Sequence, residues 1–374
     1  MTIERVTAVT EVFQGGTRVT EALLSVSGPF SPADLDPSAL SVQQITEDGK
    51  ISARTVTGVR KQDDKTVVLA LSPEDQHAAV YRSGDPWTGV RARILPARIL
   101  VNGIENDATE NRICDDFETG TFGDICYSLY VPRGYDPKKS YPLVQFIADA
   151  SACGSDPRLS VQQGYGAVSF ADPRQQEKHP CFVLCPQFDI PAIVDDDGHV
   201  DARLETAKRL LDHVIQTYSI DRNRIYTTGQ SMGCMSSLVL NLRYPDLFAA
   251  SFFVAGQWNE NAFRGAGLED RHFWFLSSQG DAKAFPGMNQ ILAVLEREGA
   301  EVARKVWDAG LDQEAYRKMA KDLTETGANM IYTPFRMETV ADGWRRFGGE
   351  HHVDTWRYAY RIDAIHDWLF DQTR

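Results

Sequence analysis

The sequence predicts two units in tandem: an all-β sandwich over residues 1–108, then an α/β unit over residues 109–374 built on a mostly parallel sheet with helices on both faces. Three observations predict it. Up to about residue 108 short alternating runs (TRVTEALLSVSG, SALSVQQI, ISARTVTGVR, KTVVLALS) are punctuated by the turn signals EDGK and KQDDK, the rhythm of a sandwich. Beyond the acidic stretch ENDATENRICDDFE the runs become continuously apolar (YPLVQFIADA, CFVLCPQF), as strands buried on both faces must be. Between them lie helical segments such as DARLETAKRLLDHVIQTY, so strand and helix alternate. The charged stretch 287–326 reads as helical throughout, a sheet-covering helix plus an added cap.

The chain has 374 residues and a formal net charge of −13, a balance without the basic field that nucleic-acid or anionic-membrane binding requires. No window offers the ~18–20 apolar residues of a membrane span. The start, MTIERVTAVTEVF, lacks the basic and then apolar order of a secretory signal, so a cytoplasmic protein is expected unless a leader was removed. Six cysteines in so long a chain do not make a disulfide scaffold. Cys181 and Cys185, four apart in a β-like run, stand ~13 Å from each other, too far to bridge. Only a Cys114–Cys126 pairing is left open. His77, in the polar stretch SPEDQHAAV, reads as a solvated loop residue.

Chemistry concentrates at Gly229-Gln230-Ser231-Met232-Gly233, where the β-rich run RIYTT feeds a G-x-S-x-G string that continues into helix-compatible residues. In that setting the serine occupies a strained strand-to-helix turn, and the flanking glycines are needed because side chains there would strike the neighbouring strand and helix. The Met232 N–H, at the helix N-terminus, is placed to donate to a developing oxyanion. A lone serine hydroxyl is a weak nucleophile, so a histidine must take its proton and a carboxylate must orient that histidine.

Both follow along the chain. Asp281 stands just past the aromatic strand HFWFL in a Gly280-Asp281 turn, on the carboxyl edge where such sheets gather their sites. Asp308, Asp312 and Asp322 fall in the helical stretch and read as solvated charges. Of the later histidines, His272 precedes the acid and reads as a packed or surface residue, and His366 reads as a helix-surface residue. The segment 347–353 reads as the loop that should carry the base, with His351 and His352 indistinguishable by spacing. Trp258, Phe285 and Trp356 are candidates for an aromatic wall beside the serine.

Taken with YSLYVPRGYDPKKSYPLVQFI, HPCFVLCPQ, TTGQSMGCMSS, SQGDAKAFPGM and HVDTWRYAYRIDAIHDWLF, these residues resemble the polyhydroxybutyrate-depolymerase-like and feruloyl-esterase-like branch of the α/β-hydrolases, especially esterases with an N-terminal immunoglobulin-like domain. The resemblance spans nearly all of residues 125–374. It implies an α/β-hydrolase fold behind an immunoglobulin-like sandwich, and a carboxylic ester hydrolase working through an acyl-enzyme on short acyl, phenolic or polyester-like esters. It implies Ser231 as nucleophile, Asp281 as acid, and His352 rather than His351 as base. One segment departs from the wider family: where many members carry His-Gly-x-Gly, this chain has Ile147-Ala148-Asp149-Ala150. Ala150 is then the expected second oxyanion donor, with the Asp149 carboxylate turned away from the oxyanion. No metal or organic cofactor is expected. The partner is an ester, small or polymeric, and a homo-oligomer is compatible with the sequence. A serine peptidase or amidase would use the same residues, and a carbohydrate- or partner-binding protein with an inert hydrolase unit is the reading from a different class.

Overall fold

A computed structural model describes residues 2–28, 40–340 and 350–374. Contacts divide the chain into two compact units, one of residues 1–83, 92–116 and 162–164, the other of residues 84–91, 117–161 and 165–374. Set beside the expected division at residue 108, the first unit runs on to Asp116, because Ala108–Asn111 pairs in parallel with Ile3–Phe13.

The first unit is a β sandwich of two main sheets, with a small two-stranded sheet of Tyr81–Arg82 and Arg93–Ile94 beside them. One sheet has the order Ala108–Asn111, Ile3–Phe13, Gly16–Val26, Thr66–Leu71, Val56–Asp63, and the other Ile104–Glu105, Ile99–Val101, Val42–Ile45, Ile51–Ala53. Successive side chains of a strand point to opposite faces. Val6, Ala8, Ala22, Leu24, Val67 and Leu69 of the first sheet therefore share one core with Val42, Ile99 and Val101 of the second.

The second unit is a mixed nine-stranded sheet between helices. Its strands are β1 (Phe117–Phe122), β2 (Ile125–Tyr130), β3 (Tyr141–Ile147), β4 (Phe182–Gln187), β5 (Ile220–Gln230), β6 (Ala250–Val254), β7 (His272–Leu276), β8 (Val302–Arg304) and β9 (Met330–Tyr332). Their order is β1-β2-β4-β3-β5-β6-β7-β9-β8, with β2 antiparallel to both its neighbours, β1 and β4, and the other pairings parallel. Every residue of β3, β4 and β6 is buried, as the continuous apolar runs require.

The principal helices are α1 (Arg203–Thr217), α2 (Met232–Arg243), α3 (Ala284–Glu298), α4 (Gln313–Thr324), α5 (Glu350–Ala359) and α6 (Asp363–Asp371). Leu204, Ala207, Leu211 and Val214 recur at helical spacing and seat α1 on Leu143, Ile147 and Phe182 of the sheet. Alternate residues face the other side, where Trp274 meets Trp368 of α6 at 5.3 Å and Trp307 at 5.7 Å between ring centres.

Residues 287–326 are not helical throughout. Gly299, at φ 120°, ends α3, and Val302–Arg304 joins the sheet beside β9 before α4 begins. A three-residue strand is too short to announce itself by periodicity. Among the described residues the six cysteines form no disulfide, Cys114 and Cys126 included.

His366 is not on a helix surface. Ala364, Ile365, His366, Trp368, Leu369 and Phe370 of α6 are all buried, so this helix has almost no solvent face. The imidazole is 2% exposed and stacks on Phe170 at 4.4 Å, and neither ring nitrogen has a hydrogen-bond partner among the described residues. Burial pushes its pKa down from 6.5 to about 4. As pH falls below 6.5 the unfolded chain takes up a proton here that the folded chain refuses until about 4. The unfolded state then binds more protons, so stability falls with pH across that window, by up to about 3 kcal/mol from this one group. His366→Leu is expected to lose less of its thermal midpoint between pH 7 and pH 4.5 than the parent. Parallel losses in the two proteins would refute the assignment.

Candidate active site

One residue separates β5 from α2, and it is Ser231. Its backbone lies at φ 53°, ψ −121°, a region costly for any side chain and characteristic of functional turns. The turn is held by the Ser231 N–H donating to the Val254 carbonyl at 3.1 Å, while the Ser231 carbonyl accepts from Met235 N–H at 3.0 Å. The glycine requirement is steric. A Cβ on Gly233 would lie 1.9 Å from the Ile147 oxygen, and one on Gly229 would lie 2.5 Å from the Gly233 carbonyl. The start of α2 is thereby pressed against the end of β3, which raises the serine above the sheet edge.

Asp281 lies in the turn between β7 and α3 and its side chain is 3% exposed. Oδ1 accepts from the N–H groups of Lys283 (3.1 Å) and Ala284 (2.9 Å), which anchors the carboxylate at the start of α3. Oδ2 lies 2.6 Å from His352 Nδ1, and His352 Nε2 lies 2.9 Å from Ser231 Oγ. Burial alone would raise the Asp281 pKa, but the hydrogen bond and charge of His352, with the two backbone donors, outweigh it and hold the carboxyl below its usual range. An ionised carboxylate only accepts, so the proton sits on Nδ1 and Nε2 presents its lone pair to the serine hydroxyl.

His351 and His352 lie on α5, not in a loop, and residues 347–349 of the expected loop lie outside the described residues. Trp356, one turn on from His352, is 6% exposed and meets the imidazole at 5.4 Å with the rings at 74°. It braces the histidine.

Across from the histidine, β3 runs into a 3₁₀ turn at Ala150–Ala152. Asp149 is 4% exposed and both its oxygens are engaged: Oδ1 accepts from Ser151 N–H at 2.8 Å and Oδ2 from Gln230 Nε2 at 2.9 Å. The first N–H groups of α2, Met232 among them, have no acceptor within their own helix. Ala150 opens the turn beside them, half-buried.

Of the three aromatic candidates, Trp258 lines a cavity. That cavity holds about 590 Å³ and is walled by Met235, Gln257, Trp258, Lys283, Gln290 and Asp196. Asp196 clasps its rim, bonding Lys283 Nζ and Gln257 Nε2 at 2.5 Å each. Phe285 packs toward the core, 6.5 Å from the Tyr332 ring. Sequence reasoning missed Asp196, Gln257 and Lys283. Lys283 stands two residues after Asp281 and could have been found by that, whereas nothing in the run around Asp196 points to the site. Among the described residues no group of His, Cys, Asp or Glu is arranged to hold a metal ion.

Residues 203–366 match a family model described as a putative esterase. A thermostable esterase of known structure aligns over 100% of both chains at 26% identity and a TM-score of 0.79. Acetylxylan esterase A of Emericella nidulans is 29% identical over an alignment of 92 residues that covers 21% of this chain and 30% of that protein. The chain therefore spans less than a third of that curated relative. The feruloyl esterase module from Clostridium thermocellum aligns over 65% of this chain and 87% of its own at 15% identity, with a TM-score of 0.42.

Proposed function

We propose that this chain, which carries an esterase domain over residues 203–366 on an α/β-hydrolase fold, hydrolyses carboxylic esters with Ser231 as nucleophile, His352 as general base and acid, and Asp281 as orienting carboxylate. The observation that carries the proposal is the unbroken line from Asp281 Oδ2 through the imidazole to Ser231 Oγ, with steps of 2.6 and 2.9 Å. Both lie within the reach required for proton transfer. Ser231 Oγ attacks the ester carbonyl as Nε2 takes its proton, and the Met232 and Ala150 N–H groups bind the resulting oxyanion. The imidazolium returns the proton to the departing alkoxide, which leaves as the alcohol. Water then attacks the acyl-serine with its proton going to Nε2, the acid departs, and Ser231 recovers its proton.

The substrate class we propose is a short acyl, phenolic or polyester-like ester, its non-reacting portion lying beside Trp258. Bonds from Ser151 and Gln230 to the Asp149 carboxylate support an operative oxyanion site, because the charge is satisfied away from the reacting atom.

A fluorophosphonate tests the activated serine without a known substrate. The expected result is a single label mapped to the peptide containing Ser231, together with turnover of p-nitrophenyl acyl esters and none of peptide anilides. Absence of label, or label on another serine, sinks the mechanism. Anilide turnover matching ester turnover would make the protein an amidase.

A further inference from the structure

The histidine that the chemistry leaves unused is tied to the acid turn. His351 Nδ1 lies 3.3 Å from Ser278 Oγ, and Ser278 is 0% exposed. The imidazole also lies flat on Gly280, so close that a Cβ there would stand 2.4 Å from His351 Cγ. Ser278 in turn holds the acid turn together. Its hydroxyl accepts from Gly280 N–H at 3.1 Å and its carbonyl from Asp281 N–H at 3.0 Å. On the helix side, the His351 carbonyl accepts from the buried Thr355 hydroxyl at 2.6 Å.

Neighbouring residues of a helix project about 100° apart. His351 and His352 therefore grip two sides of one turn, the first on Ser278 and Gly280, the second on Asp281. We propose that His351 is a positioning residue: it seats the first turn of α5 on the acid turn, so that the adjacent imidazole meets Asp281 and Ser231 at once. The inference rests on the triad reading above and adds to it a reason for the glycine at 280, which is the close approach of a ring.

The test compares His351→Ala with His351→Asn, which keeps a planar hydrogen-bonding group near Ser278. For a p-nitrophenyl ester, His351→Ala is expected to lower kcat by roughly 10- to 100-fold, the cost of about 1 Å of misplacement, with KM little changed. The fluorophosphonate labelling rate should fall in step, and His351→Asn should recover most of the loss. Each variant is assayed well below its own thermal midpoint, so a loss of fold is not read as a loss of alignment. Ser278→Ala, a smaller deletion at the other end of the contact, should show a weaker drop in the same direction. A His351→Ala protein with parental kcat, or equal impairment in the Ala and Asn variants, overturns the inference while leaving the triad standing. If the parent protein is itself neither labelled nor active on esters, the triad reading falls and this inference falls with it.

Discussion

Ser231→Ala is expected to lower kcat for ester hydrolysis on the order of 10⁶-fold and to abolish fluorophosphonate labelling. The loss is large because in the proposed mechanism the hydroxyl is the atom that forms the acyl bond, and no neighbour can take its place. Structural side effects should be small. The Ser231 side chain makes no capping bond to α2, and its hydrogen bond in the site is the one to His352. Alanine also bears the same backbone strain at φ 53°, so the turn is neither relieved nor further loaded. The variant should therefore unfold within a few degrees of the parent. Retention of a tenth of the parental turnover in a folded Ser231→Ala protein would remove the mechanism.

Asp281→Asn is expected to cost about 10⁴ in kcat, with substrate binding nearly intact. The reason lies in which oxygen is spoken for. Oδ1 accepts two N–H groups at the start of α3, so in the amide variant the carbonyl oxygen stays there and the NH₂ group turns to His352. A donor then faces Nδ1, which must give up its proton and become the acceptor. The remaining proton moves to Nε2, pointing at Ser231, and the imidazole can no longer receive the serine proton. The carboxyl is held below its ordinary value of 3.8, so an assay at pH 7 compares a full charge with none. The stability from this ionisation is complete above that ordinary value and is lost only as pH falls through the lower folded one. It does not confound the kinetic comparison. An Asn variant within tenfold of the parent would show that the imidazole is oriented by something else.

How much of this could be read from residues alone differed from element to element. The serine turn was readable because a Cβ on Gly233 or Gly229 would stand 1.9 or 2.5 Å from neighbouring backbone atoms, and that need leaves two fixed letters in the sequence. Asp281 was readable as a candidate because it stands just past the end of the aromatic strand HFWFL. The choice between His351 and His352 came from the family resemblance and not from spacing. Both lie on one short helix, and which ring reaches Ser231 depends on how that helix is rotated against a turn whose Asp281 is 71 residues from His352 in the chain, a tertiary fact that spacing does not encode. His366 misled because a polar side chain among apolar ones suggests a wet face, whereas α6 is buried almost all round. The strand Val302–Arg304 was hidden inside a charged stretch by its brevity, and Asp196 by the distance its turn must travel to meet Lys283.

The bond from Gln230 to Asp149 joins two positions 81 residues apart, with the carboxylate 4% exposed. The first variable letter of the serine motif is therefore not free to drift. An apolar residue at 230 would strand half of a buried carboxylate, a loss on the order of 3 kcal/mol, and a glutamate would set two acids against each other. In related chains the two sites should change hands together, amide with acid or apolar with apolar, so that the letter before the motif's serine discloses what stands after the third strand of the sheet.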